Sequence, residues 1–211
     1  MHRQSHQLAL MALILTSLLT GCEPAPAASE SAPQHPEVRA GAKVLVDDSI
    51  SLVAGYRVGL ITNHTGLVET AGSGVRSTAD VLADLPGVDL VALFAPEHGI
   101  RGEAEAGVAV EDAVDEATGV PVYSLYGGTR EPSPDVLADL DVLLFDIQDI
   151  GTRYYTYVWT MSLAMEAAGR AGVRFVVLDR PNPIGGTIQG NVLDPEYSTF
   201  VGRYPVPMRH G

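Results

Sequence analysis

Residues 142–147 have the sequence Val-Leu-Leu-Phe-Asp-Ile, a nearly continuous apolar run that contains a single carboxylate, Asp146. Runs of this kind are typical of strands that are buried on both faces of a parallel sheet. Four similar runs precede or follow it, at spacings that leave room for a helix between each pair. They are Val58–Thr62, Val88–Phe94, Val122–Leu125 and Phe175–Leu178. The five runs together predict a mostly parallel sheet.

Helix signals lie between these runs. The predicted helices are Ala79–Leu85, Asp135–Leu140 and Val158–Arg170. Ser77 and Ser133 are candidate N-caps, Pro134 suits the first helical position, and Gly172 ends the last helix. Alternating strands and helices with right-handed crossovers predict an α/β fold with a Rossmann-like, doubly wound sheet.

The composition narrows the function. The 211 residues are 46% hydrophobic, which fits a globular protein, and the formal net charge of −13 argues against a nucleic-acid partner. The single cysteine excludes a disulfide framework. The first strand leads into Asn63-His64-Thr65-Gly66 instead of a glycine-rich nucleotide turn, and no His, Asp or Glu spacing is typical of a metal site. We therefore predict no cofactor and no metal.

The N-terminus has the features of a secretion signal. Residues 1–21 combine a short basic start with an apolar run that is too short to span a bilayer, and residues 19–22, Leu-Thr-Gly-Cys, resemble a lipobox. We predict lipidation of Cys22, a Pro/Ala/Ser-rich tether over residues 22–42, and a lipid-anchored, extracytoplasmic location in the cell envelope. The alternative is a buried or incidental cysteine.

Polar segments follow each predicted strand. In a doubly wound sheet, ligands bind outside the carboxyl ends of the strands. These segments are rich in Gly and Arg, which on an acidic protein favours an anionic or sugar-like ligand in a cleft. They are residues 62–66, 95–102, 126–130, 148–155 and 179–183.

Four motifs resemble those of a known family. Residues 94–102, 145–157, 178–183 and 205–211 are similar, in order, to the exo-β-N-acetylmuramidase (NamZ-like, DUF1343) family. The resemblance implies an envelope enzyme that removes terminal N-acetylmuramic acid from the non-reducing end of peptidoglycan fragments. It also implies a Rossmann-like N-terminal domain, here residues 43–211, followed by a smaller second domain, with the active site between them.

The chain stops at Gly211, directly after an Arg-His-Gly motif, where members of the family continue. We therefore expect a truncated chain that lacks the C-terminal domain. Two alternatives to an active glycosidase stay open. One is a sugar-binding envelope lipoprotein without catalysis, and the other is an inactive fragment.

Glycoside hydrolysis usually requires a carboxylic acid and a second carboxylate. Glu97 is the candidate acid, because it follows a buried strand and can be desolvated there. The alternative is that Glu97 caps a turn or pairs with Arg101. His98 could position the acid, and Asp149 or Asp146 could be the second carboxylate, although Asp146 could instead anchor a loop.

Other strand-end residues are candidate substrate ligands. Arg101, Arg153 and Arg180 could bind the lactyl carboxylate of muramic acid through two parallel hydrogen bonds. The alternative is that these arginines hold the loops by pairing with Asp146, Asp149 and Asp179. Tyr154, Tyr155 and Tyr157 could stack on a sugar face, or could pack in the core as aromatic residues that enter a helix often do. The remaining candidates for hydroxyl or acetamido contacts are Asn63, His64 and Asn182.

Overall fold

The structure is a computed structural model that describes residues 38–72, 74–105, 107–109 and 111–211. The predicted signal segment, Cys22 and all but the last residues of the predicted tether lie outside the described residues. None of the helices in the described part combines the length and apolar character needed to cross a membrane.

The described strands form one six-stranded sheet and two hairpins. In chain order they are β1 (Arg57–Thr62), β2 (Leu67–Thr70), β3 (Gly74–Ser77), β4 (Asp89–Ala95), β5 (Ala113–Val114), β6 (Pro121–Ser124), β7 (Val142–Asp146), β8 (Arg174–Val177), β9 (Gln189–Val192) and β10 (Pro207–Arg209). The large sheet has the order β5-β6-β4-β1-β7-β8, and only β5 is antiparallel to its neighbour. Its five parallel strands match the five apolar runs and follow the strand order of a Rossmann fold. The predicted fold class is confirmed.

Four α-helices of the described residues flank the sheet. They are α1 (Gly41–Asp48), α2 (Thr78–Asp84), α3 (Pro134–Leu137) and α4 (Tyr157–Ala171), and short 3₁₀ helices span Ile50–Leu52 and Pro195–Tyr197. The predicted caps are confirmed: Ser77 Oγ accepts from the Ala79 N–H, Ser133 Oγ accepts from the Val136 N–H, and Gly172 ends α4 with a φ of 72°. Residue identity at these positions therefore fixes the helix ends.

The core has one layer on each side of the sheet. Leu60 packs into the layer beneath α1 and α2, whereas its neighbour Ile61 packs into the layer beneath α3 and α4. This alternation follows from the two-residue period of a strand. Every residue of β7 is buried, as a strand covered on both faces requires.

Helix α1 begins within the segment that was predicted to be a tether. Ala42 is fully buried, and the Gly41 N–H donates to the Asp179 carbonyl at 2.6 Å. A Cβ at Gly41 would collide with the backbone of Asp179, so glycine permits this close approach. The fold therefore starts before residue 43, because Ala42 and Leu45 supply a small apolar face that docks on the sheet.

A buried ion pair lies where the strand order reverses. Thr62, the last residue of β1, is in register with Asp146 at the end of β7. The Asp146 side chain is completely buried, and Arg180 binds both of its oxygens, with Nε–Oδ1 at 2.7 Å and Nη2–Oδ2 at 2.9 Å. Thr78 Oγ1 donates to Oδ2 at 2.6 Å, and Arg180 Nη2 also donates to the Leu67 carbonyl at 2.8 Å. One carboxylate thus links β7 to α2, β2 and the segment after β8.

The substitution Asp146→Asn should lower the free energy of unfolding by about 3–5 kcal/mol, because it leaves the Arg180 charge buried without a partner. Asp139→Asn is the matched control, since Asp139 pairs with Arg57 at an exposed surface and should change stability by less than about 0.5 kcal/mol. Urea unfolding at pH 7 measures both values. Equal effects of the two substitutions would contradict the structural role of Asp146.

Candidate active site

Glu97 lies in a strained turn at the carboxyl end of β4. The Gly99 N–H donates to the Pro96 carbonyl at 3.0 Å and closes a β-turn around Glu97 and His98. His98 has a φ of 76° and is the only non-glycine residue with positive φ in the described part of the chain. Strain of this kind is concentrated at functional sites, where the surrounding structure holds it in place.

The Glu97 carboxylate accepts hydrogen bonds from two segments. Oε1 accepts from the Gly107 N–H at 3.0 Å, and Oε2 accepts from Thr156 Oγ1 at 3.3 Å. Thr156 is the N-cap of α4, yet its hydroxyl makes no capping bond to its own helix. The carboxylate therefore lies by the positive end of a 15-residue helix, which favours negative charge there.

Two tyrosines lie close to Glu97. Burial raises the pKa of the Tyr126 phenol and the Glu97 charge raises it further, whereas Arg130 acts in the opposite direction. Burial also raises the pKa of the Tyr157 phenol, opposed by the Asn63 amide and reinforced by Glu97. Both hydroxyls therefore stay protonated at neutral pH and can donate hydrogen bonds.

Asn63 adds a buried donor that has no partner. It follows β1 and is 1% exposed. Its Oδ1 accepts from the backbone N–H and the Oγ1 of Thr65, at 2.9 and 2.5 Å. Its Nδ2 atom makes no hydrogen bond of good geometry within the described residues, and the Tyr157 phenol is the group that the amide approaches. An amide held this rigidly, with one donor unused, is suited to bind an acceptor oxygen of a ligand.

The two predicted histidines border the loop after Glu97. His98 Nδ1 lies 3.0 Å from the Ala104 carbonyl, so this nitrogen carries the proton and donates to the loop. His64 is exposed, and a Cβ at Gly102 would approach its Nδ1 to 3.0 Å. His98 thus positions the turn that carries Glu97, and the close approach at Gly102 brings the end of β1 against the same loop.

Asp149 lines a cavity of about 450 Å³. Its Oδ2 accepts from the Gly151 N–H at 2.7 Å and lies 3.6 Å from His210 Nε2. Asp149 Oδ1 and His210 Nε2 have no hydrogen-bond partner within the described residues. Asn182 also lines the cavity, and its Oδ1 accepts from the Ile184 N–H at 3.0 Å. Asp149 can thus act only on a part of the ligand that enters this cavity.

Two of the predicted anionic-ligand residues form ion pairs with aspartates. Arg101 binds Asp115 through Nε and Nη2, at 2.9 and 2.7 Å, and binds Asp80 through Nη2 at 2.6 Å. Arg180 is held by Asp146. The Asp146 side chain is completely buried, so a substrate cannot contact it. The structure therefore favours a role in holding the loops, instead of substrate binding, for Arg101, Arg180 and Asp146.

Arg153 is also used within the protein. Its side chain is buried, and Nη1 donates to the carbonyls of Asn191 and Val206 at 2.9 and 2.8 Å. These bonds hold the β9–β10 hairpin against the segment after β7. The adjacent Tyr154 is 56% exposed, so its ring remains accessible for the stacking role that the sequence predicts.

Three residues near Glu97 were not among the sequence candidates. They are Tyr126, Arg130 and Thr156. All belong to segments that follow predicted strands, so the sequence alone predicts that they lie at the carboxyl edge of the sheet. The chain order alone does not show that β6 and the start of α4 approach the end of β4. Within the described ranges, no three His, Cys, Asp or Glu side chains are grouped as a metal site would require.

These features define a Rossmann-like α/β domain whose carboxyl edge carries a glutamate surrounded by hydroxyl, amide and guanidinium groups, an arrangement suited to acid–base chemistry on a polar ligand. Comparison with known proteins identifies the family. The chain belongs to the family described as "Exo-beta-N-acetylmuramidase NamZ, N-terminal", whose model matches residues 58–211.

Two kinds of relatives agree with this assignment. The chain is 47% identical over 203 residues to the peptidoglycan β-N-acetylmuramidase NamZ of Bacillus subtilis (strain 168), and the match covers 96% of this chain and 48% of that protein. Crystal structures of two DUF1343 family proteins from Bacteroides fragilis match with TM-scores of 0.74 and 0.69 at 49% and 35% identity. Each match covers 83% of this chain and 44% of the solved chain. The chain thus spans about half the length of these relatives.

The ion pairs of Arg101 with Asp115 and Asp80 should make the free energy of unfolding depend on pH in the acidic range. Hydrogen bonds from Arg101 hold the pKa of the Asp115 carboxyl below its ordinary value. The folded state then binds fewer protons than the unfolded state, so this stabilisation is present above about pH 4 and is lost as pH falls through the lowered pKa. Asp115→Asn should lower the urea midpoint at pH 7 and flatten its decline below pH 4. An unchanged acid profile would contradict this role of Asp115.

Proposed function

We propose that this chain is the N-terminal part of an exo-acting β-N-acetylmuramidase. Its substrate would be the terminal N-acetylmuramic acid at the non-reducing end of peptidoglycan fragments, and its role would be in cell-wall turnover. The observation that carries the proposal is the Glu97 carboxylate in a strained turn, close to the donors Thr156, Tyr126 and Tyr157. The 47% identical relative from Bacillus subtilis, which carries this activity in its name, supports it.

Glu97 is the proposed general acid. Cleavage of a glycosidic bond is assisted when a carboxylic acid protonates the leaving oxygen. The carboxylate that remains is stabilised by the Gly107 N–H, by the Thr156 hydroxyl and by the N-terminus of α4. Stabilising the product carboxylate lowers the cost of the proton transfer.

Asp149 is the proposed second carboxylate. It has one unpartnered oxygen and lies 3.6 Å from His210, which can accept or return a proton. A carboxylate with a free oxygen can activate a water molecule or attack the sugar directly. His98 keeps its predicted supporting role as the residue that fixes the Glu97 turn.

A sugar-binding lipoprotein without catalysis is the second candidate function. The unused Nδ2 donor of Asn63 would serve binding equally well with or without hydrolysis. Binding of N-acetylmuramic acid with no release of product from a disaccharide would favour this function.

The substitution Glu97→Gln should reduce turnover by about 100-fold or more, because the amide cannot donate the proton to the leaving oxygen. The substrate should be the disaccharide of N-acetylmuramic acid and N-acetylglucosamine, whose poor leaving group requires the acid. The protein should be expressed from its own gene with whatever sequence its reading frame carries beyond Gly211. Product release is followed by chromatography.

Glu69→Gln provides the matched control, since Glu69 is exposed on β2, and it should retain full turnover. Wild-type turnover by the Glu97→Gln variant would exclude Glu97 as the acid.

We also propose that the protein is anchored in the cell envelope by lipid on Cys22, on the extracytoplasmic side. The lipobox-like residues 19–22 at the end of an apolar segment support this location.

Cys22→Ser should move the protein from the membrane fraction to the soluble extracytoplasmic fraction and should abolish labelling by a radioactive fatty acid. Cell fractionation and autoradiography in a bacterial host measure both effects. Retention of the label in the variant would contradict lipidation at Cys22.

A further inference from the structure

Arg130 is held by aromatic rings instead of a carboxylate. Its Cζ atom lies 3.8 Å from the centre of the Phe200 ring and 4.9 Å from the centre of the Tyr126 ring. The two ring centres are 6.3 Å apart, so both aromatic side chains contact the guanidinium. Stacking satisfies the faces of a guanidinium and leaves its N–H edge free to bind a planar anion.

The edge of this guanidinium has an unused donor. Arg130 Nη1 is buried and has no hydrogen-bond partner within the described residues, and no described carboxylate lies within 4.0 Å of the Arg130 side chain. Arg101 and Arg180, in contrast, are paired with aspartates, and Arg153 donates to two carbonyls. Arg130 thus differs from Arg101 and Arg180 in having no described acidic partner, and from Arg153 in keeping a buried donor that has no hydrogen-bond partner.

Arg130 belongs to the site that contains Glu97. It follows β6, which is paired in parallel with β4, so both residues lie beyond the carboxyl edge of the sheet. The Tyr126 ring connects the two, since its phenol is influenced by the charges of both Glu97 and Arg130. Glu97 and Arg130 therefore both lie beside the Tyr126 side chain.

On a protein with a net negative charge, a fixed cation favours the binding of an anionic ligand. A formal net charge of −13 disfavours the approach of a carboxylate from solution. A half-buried guanidinium fixed between two rings offsets this repulsion at one position, and it distinguishes a sugar that carries a carboxylate from a neutral hexosamine.

We propose that Arg130 is the residue that selects an acidic amino sugar at this site, by binding the carboxylate of its lactyl ether through two parallel hydrogen bonds. This inference rests on the proposed function and names the group that gives the site its substrate class. Tyr126 and Phe200 act as positioning residues, because they hold the guanidinium in one plane without neutralising it.

The test measures binding by isothermal titration calorimetry, with free N-acetylmuramic acid and its lactyl methyl ester as ligands. The protein is the product of the complete reading frame. The wild type should bind the acid about 10- to 100-fold more tightly than the ester, as expected for a charge-assisted pair. Arg130→Gln should bind the acid as weakly as the ester, with ester affinity unchanged. Retained ester affinity also shows that the variant is folded.

Arg174→Gln is the matched control. Arg174 also stacks on an aromatic ring, with Cζ at 5.0 Å from the Tyr56 ring centre, but it lies at the amino end of β8. This variant should keep the wild-type preference. Arg130→Met keeps the aliphatic stem between the rings and should lose the preference in the same way, which provides a second variant should the glutamine fail to fold. A preference for the acid that survives in Arg130→Gln or Arg130→Met would overturn the proposal.

Binding and hydrolysis separate this inference from the proposed function. An Arg130-dependent preference for the acid without any hydrolysis of the disaccharide would support the inference and contradict the glycosidase. Hydrolysis by the wild type together with an acid preference that Arg130→Gln leaves intact would support the glycosidase and overturn the inference.

Discussion

The buried pair of Asp146 and Arg180 is the interaction on which the carboxyl edge of the sheet depends. A carboxylate at the end of a fully buried strand is strongly disfavoured unless it is paired and hydrogen-bonded. Asp146 meets this requirement with groups from α2 and from the segment after β8, and Arg180 extends the link to β2. Segments far apart in the chain are thereby held in one arrangement at the point where the strand order reverses. A rigid edge of this kind can hold catalytic groups in fixed positions.

The distribution of charge follows from the acidity of the chain. With 26 acidic residues and 13 basic ones, a basic side chain readily finds a carboxylate partner. Arg101 and Arg180 form ion pairs with aspartates, and these pairs hold the loops in place. Arg130 is placed between Tyr126 and Phe200, whose π-faces stabilise a cation without neutralising it. Aromatic stacking therefore preserves a positive charge near Glu97 in a protein with an excess of negative charge.

Much of the fold could be predicted from the sequence, because strands buried on both faces leave continuous apolar runs and because Ser77, Ser133 and Gly172 mark helix ends. Helix α1 and the β9–β10 hairpin could not, since their short segments are fixed by tertiary contacts such as the Gly41–Asp179 hydrogen bond. Glu97 was recognisable from its place after β4.

The partners of Glu97 were not recognisable in the same way. The approach of Thr156 and of Tyr126 to its carboxylate depends on strand order, which brings β6 and the start of α4 beside the end of β4. The prediction of ligand-binding arginines was incomplete for a related reason. The sequence shows that Arg101, Arg153 and Arg180 follow strands, but only the folded chain shows which acceptors bind their N–H groups.

The most direct test of the site is a crystal structure of the Glu97→Gln protein, expressed from its complete reading frame, with the disaccharide bound. The lactyl carboxylate should lie about 2.7–2.9 Å from two nitrogens of Arg130, and the glycosidic oxygen should lie within about 3.2 Å of the residue 97 side chain. A saccharide that contacts neither residue would contradict the site.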